Sequence, residues 1–260
     1  MPRLRGGREP HGPLVSVIIP ARNEAPNIER TVRALLAQTY APLEVIVVDD
    51  RSDDATASIV EGITDGDGRL QLLRGADAPE GWLGKPWALH QGSGMARGEI
   101  LLFVDADIHY EPEAVAAAVA HLQESGAAMV TLAPHLVMET VAERIAMPML
   151  ALALFSFIPT WFSNRTTIAR LGVGGGTGNL IRRPDYEAAG GHEALRDAVV
   201  DDVATARLLR RHGRRTVVVR AGDLVSVRMY DGARAIVDAA SSPERASLDE
   251  IRLLPADGVL

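Results

Sequence analysis

Two aspartates, Asp105 and Asp107, stand one residue apart directly after a short apolar run at residues 100–104. The run has the composition of a strand that is buried on both faces of a parallel sheet. Open α/β sheets bind ligands at the carboxyl ends of such strands, so both carboxylates would face a ligand site. Carboxylate oxygens can hold a divalent cation that keeps free positions for substrate phosphates. The alternative is a solvated turn, because aspartate also favours turns.

A polar loop at residues 20–24 follows the first predicted strand, residues 14–19. A dinucleotide-binding protein would carry its glycine-rich turn at this point, and the loop contains no glycine. Its composition therefore argues against a dinucleotide fold. The loop is also compatible with simple entry into a helix, with Asn23 or Glu24 near the cap and Pro26 in the first turn.

Acidic residues recur after a second predicted strand and before a predicted helix. Residues 49–54 follow the strand at 43–48, and Asp201 and Asp202 precede a helix predicted from about residue 203. In a parallel sheet the acidic loops after the strands would share one edge and could build a single nucleotide and metal site. Asp201 or Asp202 could instead be a helix cap, whose negative charge the helix dipole favours.

Two glycine-containing segments could contact a ligand. Residues 81–89 are predicted to form a loop with Lys85 and two tryptophans, which suits contact with an anion and a ring, although tryptophans more often simply pack. Residues 172–178 contain five glycines and allow close backbone approach to a ligand. This run is a weak nucleotide fingerprint because it leads into a short strand rather than a helix.

Hydrophobic periodicity predicts alternating strands and helices, and therefore an α/β fold with a mostly parallel sheet. Further strands are predicted at residues 70–73, 128–133, 216–220 and 224–229, and helices near residues 28–36, 55–63, 113–124 and 203–211. Residues 145–162 are nearly charge-free, but two prolines interrupt them, so a buried or interfacial helix is expected rather than a membrane span.

The composition is that of a globular, acidic protein. The 260 residues are 47% hydrophobic with a net charge of −7, which gives no global field to attract nucleic acid. The absence of cysteine excludes disulfides and thiolate metal sites. Residues 1–13 have no apolar core of a signal peptide and are expected to form a loose arm. These features predict a cytoplasmic location.

The motifs together resemble the family 2 glycosyltransferases with the GT-A fold, which transfer a sugar from a nucleotide diphosphate with inversion. The resemblance covers roughly residues 14–230, and its motifs in chain order are residues 20–24, 48–54, 84–89, 105–107, the glycine-rich segment ending in Arg182, residues 190–192 and Asp201-Asp202. Residues 81–88, 182–192 and 228–230 are most similar to the bacterial branch that glycosylates carotenoid- or hopanoid-type lipids.

The resemblance implies a role for each matching position. Pro20, Ala21, Arg22, Glu24, Asp50, Lys85, Asp105 and Ala106 would bind the donor; Asp105 and Asp107 would hold Mg²⁺ or Mn²⁺; Asp202 would be the catalytic base; Gly178, Arg182, His192, Asp201 and Arg228 would bind the acceptor or support the site. It also implies a GT-A domain at residues 14–232, with a nucleotide-binding half (14–110), an acceptor-binding half (111–232) and a tail (233–260).

The expected function is metal-dependent transfer of a single sugar. The arginine- and tryptophan-containing motif of processive synthases is absent, which favours single-sugar transfer over polymer synthesis. The donor would be a nucleotide-diphosphate sugar, by default a UDP-sugar. The acceptor would be a hydroxyl or carboxyl of a lipid-like molecule. Residues 145–162 would contact the inner face of the cell membrane. Two alternatives stay open: a metal-dependent nucleotidyltransferase, and a non-catalytic homologue that binds nucleotide sugars. The nucleotidyltransferase would require a glycine-rich basic loop that residues 21–24 do not supply.

Overall fold

The computed structural model describes residues 1–5, 11–64, 66–156, 159–230, 232 and 234. The strands are β1 (His11–Ala21), β2 (Ala41–Asp49), β3 (Leu70–Arg74), β4 (Ile100–Phe103), β5 (His109–Tyr110), β6 (Met129–Ala133), β7 (His135–Leu136), β8 (Asn179–Arg182), β9 (Thr216–Arg220) and β10 (Val225–Val227). The α-helices are α1 (Ile28–Leu36), α2 (Thr56–Thr64), α3 (Gly84–Met95), α4 (Ala114–Ser125), α5 (Val141–Ser156), α6 (Thr160–Ser163), α7 (Arg183–Ala188) and α8 (Asp201–Arg211).

Seven strands form the central sheet in the order β3-β2-β1-β4-β8-β6-β9. All neighbouring pairs are parallel except those of β8, which is antiparallel to both β4 and β6. The chain moves outward from β1 through β2 to β3 and then returns to the other side of β1 with β4. This reversal is a topological switch point, and open sheets bind their ligands at the carboxyl ends of the strands on either side of it, here β1 and β4. The predicted α/β fold with a mostly parallel sheet is confirmed.

The reversed direction of β8 decides which of its residues reaches that edge. Asn179, the first residue of β8, lies opposite Phe103 at the carboxyl end of β4, whereas Arg182 lies opposite Ile100 at the other end. Asn179 is therefore placed beside the loop that carries Asp105.

Helix α3 packs closely on the sheet. Ile18 of β1 and Val48 of β2 are fully buried in a core cluster that includes Ala88 and Leu89 of α3. A Cβ on Gly92 would lie 2.6 Å from Cγ2 of Ile18, so the helix reaches this distance only because the residue is glycine. This packing fixes the start of α3 above the carboxyl edge of the sheet.

The amino edge of the same sheet buries one acid, Glu44, which is 2% exposed. Its Oε1 accepts hydrogen bonds from Ser16 Oγ (2.6 Å) and the Arg97 backbone N–H (2.7 Å), and Oε2 accepts from Arg97 Nε (2.8 Å) and Nη2 (2.6 Å). Burial works to raise the pKa of Glu44, but the bonds from Ser16 and Arg97 outweigh it and hold the pKa below its usual value. The buried charge is thus fully paired.

Several elements differ from their predictions. The expected loop at residues 81–89 becomes α3 from Gly84 onward, because Pro86 is tolerated in a first turn and the helix gains burial against the sheet. Helix α8 begins at Asp201, so the acid pair lies inside its first turn, and α7 was not predicted.

The expected N-terminal arm, residues 1–13, is also more ordered at both ends than predicted. Leu4 N–H donates to the Arg220 carbonyl (2.9 Å) and Arg220 N–H to the Pro2 carbonyl (2.8 Å), which pairs the start of the chain with β9. At the other end of the arm β1 already begins at His11. Residues 6–10 lie outside the described residues.

The chain divides into two compact units, Met1–His135 with Thr160–Val227, and Leu136–Pro159 with Arg228–Leu260. The predicted halves meet at residue 110, inside the first unit. The predicted tail, 233–260, lies outside the described residues except for residue 234. In the part of the chain that the structure describes, no helix has the length and apolar character needed to cross a bilayer.

Helix α5 belongs to the second unit and starts with a capping box. Thr140 N–H donates to Glu143 Oε2 (3.4 Å), and Glu143 N–H donates to Thr140 Oγ1 (3.3 Å). Along one face of the helix, Val141, Ile145 and Met149 are 73%, 60% and 66% exposed. Their spacing of four residues makes them a continuous apolar stripe.

Candidate functional site

Lys85 lies at the centre of three carboxylates at the carboxyl edge of the sheet. Its Nζ is 2.8 Å from Asp105 Oδ1, 3.4 Å from Asp201 Oδ1 and 3.7 Å from Asp202 Oδ2. Lys85 comes from the first turn of α3, Asp105 from the loop after β4, and the acid pair from the first turn of α8. The structure therefore joins three of the separate motifs into one cluster.

The charges of this cluster are unbalanced, with three carboxylates around one ammonium. Burial opposes a charge on Lys85, but Asp202, Asp105 and Asp201 outweigh it and hold the pKa of Lys85 well above its usual value. Burial raises the pKa of Asp202 to about 7; Lys85 opposes this rise, while Asp201 and Asp105 add to it. Burial also raises the pKa of Asp201. A carboxyl group that titrates near neutral pH is suited to general acid–base chemistry.

The glycine-rich segment, residues 172–178, lies directly against Asp105 and Asp202. A Cβ on Gly176 would overlap the Asp105 carboxylate, and a Cβ on Gly174 would overlap the backbone carbonyl of Asp202. The Asp105 backbone N–H also donates to the Gly176 carbonyl at 2.8 Å. The close approach predicted for this run is thus made to the acidic loops of the protein itself.

Gly178 ends that segment in a backbone conformation that suits glycine, with φ of +148°. A Cβ at this position would overlap the hydroxyl of Tyr110, which donates to the Thr177 carbonyl at 2.8 Å. Gly178 therefore has a structural reason to be glycine beside the cluster.

Asn179 is a site residue that the sequence did not single out. Its Nδ2 donates to Asp202 Oδ1 at 2.8 Å, and its Oδ1 accepts from Thr131 Oγ1 at 3.0 Å. Asn179 and Thr131 are neighbours on β8 and β6, both buried. The pairing that brings them together is long-range, and the one signal in the sequence was the position of Asn179 directly after the glycine run.

The Asp105–Asp107 loop is anchored from α1. Thr31 Oγ1 donates to the Ala106 carbonyl at 2.7 Å, and the side chain of Ala106 is buried. Burial raises the pKa of Asp107, and the nearby carboxylates of Asp105 and Glu24 add to the rise. These negative charges are close enough together that a cation would stabilise all of them.

The predicted donor-binding loops meet beside the start of α3. Asp50 N–H donates to the Ala21 carbonyl at 2.8 Å, and the Asp50 carboxylate lies 3.1 Å from Arg51 and 3.9 Å from Arg22. A Cβ on Gly84 would lie 2.8 Å from Asp50 Oδ2. The buried Asp50 carboxylate therefore adjoins the helix that carries Lys85.

Pro20 and Glu24 lie on either side of the same loop. Pro20 pairs with Val48 in the β1–β2 register. Glu24 N–H donates to Thr56 Oγ1 at 2.8 Å, and its Oε2 accepts from Asn27 Nδ2 at 3.2 Å. The loop after β1 is thus fixed to the start of α2.

His192 is buried near the cluster but makes no hydrogen bond to it. Its Nδ1 lies 2.7 Å from the Tyr186 hydroxyl, and its ring meets Phe103 edge-on at 5.0 Å. Burial lowers the pKa of His192 to about 3, with Lys85 and His90 adding to the effect, so the ring is neutral. Its Nε2 has no hydrogen-bond partner among the described residues.

Arg182 and Arg228, the two arginines predicted to bind the acceptor or support the site, make their contacts outside the Lys85 cluster. Arg182 donates from Nε to the Ala127 carbonyl (3.0 Å) and from Nη2 to the Leu122 carbonyl (3.1 Å), at the end of β8 remote from Asn179. Arg228 pairs with Glu139 at 2.9 Å and Glu143 at 3.1 Å within the second unit. The contacts of Arg182 are those of a structural residue.

Residues 16–186, more than half of the chain, match the sequence model of the family described as Glycosyl transferase family 2. The chain belongs to this family.

Relatives of this family 2 chain include two proteins named 4,4'-diaponeurosporenoate glycosyltransferase. The one from Staphylococcus aureus (strain MRSA252) is 26% identical over 231 residues, which are 83% of this chain and 56% of the relative. The one from Staphylococcus haemolyticus (strain JCSC1435) is 23% identical over 223 residues, 84% of this chain and 57% of the relative. The chain thus spans little more than half the length of these relatives.

Solved glycosyltransferase structures share the GT-A fold of this family 2 chain. A mannosyltransferase from Pyrobaculum calidifontis, in complex with GDP-Man and Mn²⁺, has a TM-score of 0.59 and 26% identity over 85% of this chain and 60% of its own. Staphylococcus aureus TarS, in complex with UDP-GlcNAc, has a TM-score of 0.53 and 19% identity over 88% of this chain and 61% of its own. At 19% identity, the likeness to TarS concerns the fold alone. The GT-A fold predicted from the sequence is confirmed.

A metal ion is implied by the family 2 resemblance, and the residues present fit one. Within the described ranges, no group of three or more histidine and acidic side chains is arranged to hold a metal ion by itself. A Mg²⁺ ion at a nucleotide site commonly takes only one or two carboxylates, with phosphates and water as the other ligands. Asp105 and Asp107 offer two such carboxylates, and burial, together with the nearby carboxylates of Asp105 and Glu24, raises the pKa of Asp107.

Proposed function

We propose that this chain is an inverting glycosyltransferase that transfers one sugar from a nucleotide-diphosphate sugar, by default a UDP-sugar, to a hydroxyl or carboxyl of a lipid-like acceptor. The observation that carries the proposal is the convergence of Lys85 with three carboxylates, Asp105, Asp201 and Asp202, at the switch point of a family 2 fold. An open sheet binds its ligand at such a switch point.

Donor binding uses the loops after β1 and β2 and the start of α3. Ala21, Arg22, Glu24 and Asp50 hold the nucleoside, while Lys85 contacts the diphosphate as a point charge. The proximity of Asp50 to Gly84 supports this division, because it joins the nucleoside loop to the helix of Lys85. The solved mannosyltransferase in complex with GDP-Man supports a nucleotide sugar as the donor class.

Asp105 and Asp107 hold Mg²⁺ or Mn²⁺ in this proposal. A bound divalent cation neutralises the charge that develops on the departing diphosphate. The hydrogen bond from Thr31 to the Ala106 carbonyl holds the loop backbone between the two aspartates.

Asp202 is the general base, and Asp201 and His192 support the site. Asp202 Oδ2 faces the cluster at 3.7 Å from Lys85 Nζ, and the pKa of Asp202 is about 7. At neutral pH a large fraction of Asp202 is ionised and able to accept the acceptor proton. The Asp201 carboxylate is more deeply buried and shares Lys85.

The acceptor class is inferred from the relatives named 4,4'-diaponeurosporenoate glycosyltransferase and from exposed apolar residues. The stripe of Val141, Ile145 and Met149 on α5 presents apolar side chains to solvent, as do Trp161 and Phe162 of α6, which are 63% and 41% exposed. Such patches mark interaction sites. We propose that residues 145–162 contact the cytoplasmic face of the cell membrane.

A thermal-shift panel tests the donor class. UDP-glucose, UDP-GlcNAc and GDP-mannose are each added with and without Mn²⁺, and ATP serves as the control for a nucleotidyltransferase. A ligand at ~100 times its dissociation constant stabilises by about 2.7 kcal/mol. We expect one nucleotide sugar to raise Tm more with Mn²⁺ than without it. Stabilisation by ATP alone would favour the nucleotidyltransferase.

Donor turnover separates an enzyme from a non-catalytic binder. Incubation of the stabilising donor with Mn²⁺ and 4,4'-diaponeurosporenoate should release nucleoside diphosphate and form a glycosylated product. Binding of the donor without any release of nucleoside diphosphate would favour the non-catalytic homologue.

Liposome flotation tests the membrane contact. The double variant Ile145→Ser with Met149→Ser should float less than the wild-type chain, because it removes two exposed apolar side chains. Met95→Ser, which changes an exposed methionine at the end of α3, is the matched control and should float as the wild type does. Equal flotation of all three proteins would overturn the contact.

A further inference from the structure

Asn179 makes a set of contacts that fixes its amide in one orientation. Its Oδ1 accepts from Thr131 Oγ1 (3.0 Å) and from the Gly175 backbone N–H (3.4 Å), and its Nδ2 donates to Asp202 Oδ1 (2.8 Å). A backbone N–H can only donate, and an ionised carboxylate can only accept. A flipped amide would therefore place a donor against Gly175 and an acceptor against Asp202.

The same contacts make the two oxygens of Asp202 different. Oδ1 is held by Asn179, whereas Oδ2 lies on the side of Lys85 at 3.7 Å. Asn179 is 2% exposed, so water does not compete for this bond. A carboxylate with one oxygen held has a restricted χ2 rotation, and the second oxygen then has a defined direction.

We propose that Asn179 is the positioning residue of Asp202: it holds Oδ1 so that Oδ2 is the oxygen that takes the acceptor proton. This inference rests on the proposed role of Asp202 as general base. In transfer to a hydroxyl acceptor, the acceptor O–H proton moves to Oδ2, and the acceptor oxygen bonds to the anomeric carbon. The bond from that carbon to the diphosphate oxygen breaks, and its electron pair leaves with the diphosphate.

Asn164 is a matched control for a merely structural role. It is also buried, at 9% exposed, and its amide makes two hydrogen bonds of 2.9 Å to the backbone of Val218 in β9. Neither bond involves the acidic cluster. Asn164→Ala and Asn179→Ala therefore each remove a buried amide, but only Asn179→Ala removes a donor to Asp202.

The first test measures the proton affinity of Asp202 in the ligand-free chain by ¹³C-carboxyl NMR titration. Other charged groups that face Asp202 are Lys85, Asp201 and Asp105, and all three are retained in each variant. Loss of a hydrogen bond to the charged form favours the protonated form. We expect Asn179→Ala to raise the proton affinity of Asp202 about tenfold and Asn164→Ala to leave it unchanged. An unchanged proton affinity in Asn179→Ala would overturn the proposal.

A second variant covers the case in which Asn179→Ala does not fold. Thr131→Val removes the hydroxyl that lies 3.0 Å from both Asn179 Oδ1 and the Val173 carbonyl oxygen, while keeping the shape of the side chain. It should shift the proton affinity of Asp202 in the same direction by a smaller factor. No shift in Thr131→Val, with no folded Asn179→Ala, would also count against the proposal.

Turnover then separates the failure of this inference from failure of the proposed function. With the donor found in the thermal-shift panel, Asn179→Ala should lower kcat roughly 10- to 100-fold with little change in donor KM. Full activity of Asp202→Asn would show that Asp202 is not the general base and would overturn that part of the proposed function. An inactive Asp202→Asn beside a fully active Asn179→Ala would overturn only the positioning role.

Discussion

The two edges of the central sheet both bury acidic side chains, and they surround them in opposite ways. At the amino edge Glu44 accepts four hydrogen bonds from Ser16 and Arg97, and its pKa is lowered. At the carboxyl edge three aspartates share Lys85, and the pKa of Asp202 is raised to about 7. One edge has a complete set of partners, and the other has an excess of negative charge.

This difference separates a structural acid from acids that are suited to function. A buried carboxylate with enough donors stabilises the fold and has no need of a ligand. Carboxylates whose charges are incompletely paired are stabilised by an added cation, and their perturbed pKa values mark a candidate site. We therefore expect variants at the carboxyl edge to change sugar transfer and donor binding, and variants at the amino edge to change stability alone.

The largest effect is expected at Asp202. Asp202→Asn should lower transfer by about 10²–10⁴-fold, the usual contribution of general-base assistance, while nucleotide-sugar affinity stays close to that of the wild type. Asp201→Asn is the matched control and should lose distinctly less. Turnover and donor affinity of both variants decide this. Near-normal transfer by Asp202→Asn would move the base elsewhere, with Asp201 as the next candidate.

A smaller effect, on stability alone, is expected at the amino edge. Arg97→Ala leaves part of the buried Glu44 carboxylate without donors and should lower the free energy of unfolding by about 1–3 kcal/mol. Arg33→Ala, which removes an exposed ion pair with Glu29, should lower it by ~0.5 kcal/mol or less. Urea denaturation gives both values. A change of donor affinity in folded Arg97→Ala would break the distinction between the edges.

A third effect is a pH-dependent gain of stability. Because the folded-state pKa of Asp202 is raised to about 7 from an ordinary 3.8, the fold favours the protonated carboxyl. Its contribution to stability is present at low pH and is lost as pH rises towards 7. Asp202→Asn should therefore raise Tm by a few degrees at pH 8 and by little at pH 4. A lower Tm for the variant at pH 8 would contradict the raised pKa.

Glu44 should show the opposite dependence on pH. Its folded-state pKa is lowered, so its contribution to stability is present above the pKa of the unfolded chain and is lost as pH falls through the folded-state pKa. The Tm difference between the wild type and Glu44→Gln should accordingly be larger at pH 7 than in acid. A difference that grows towards acid would show that Glu44 is not held as a charged group.

The sequence was most informative where a local pattern determines position. Apolar runs that end on acids predicted the strands of the sheet, and parallel pairing then places the loops after β1, β2 and β4 at one edge. The acid pair in the first turn of α8 was also recognised as a motif. The expectation that its members would join Asp105 required the resemblance, because α8 is not a strand of the sheet.

The sequence was least informative where long-range packing decides. The loop prediction for residues 81–89 failed because glycine and proline lowered the helix signal, whereas Gly92 lets α3 pack tightly on Ile18. Asn179 was missed because its role depends on the antiparallel direction of β8. Neither the direction of a four-residue strand nor its partners can be read from its own side chains.

The central claim is that the carboxyl edge binds a nucleotide-diphosphate sugar together with a divalent cation through Asp107. Calorimetric titration of UDP-glucose, UDP-GlcNAc and GDP-mannose, each with and without Mn²⁺, tests it on the wild-type chain and on Asp107→Ala. The account predicts that Mn²⁺ strengthens binding of one of these donors to the wild type about tenfold or more, equivalent to ~1.4 kcal/mol. It predicts no such gain for Asp107→Ala, whose fold should be intact. Equal donor affinity with and without Mn²⁺ in both proteins would contradict the account.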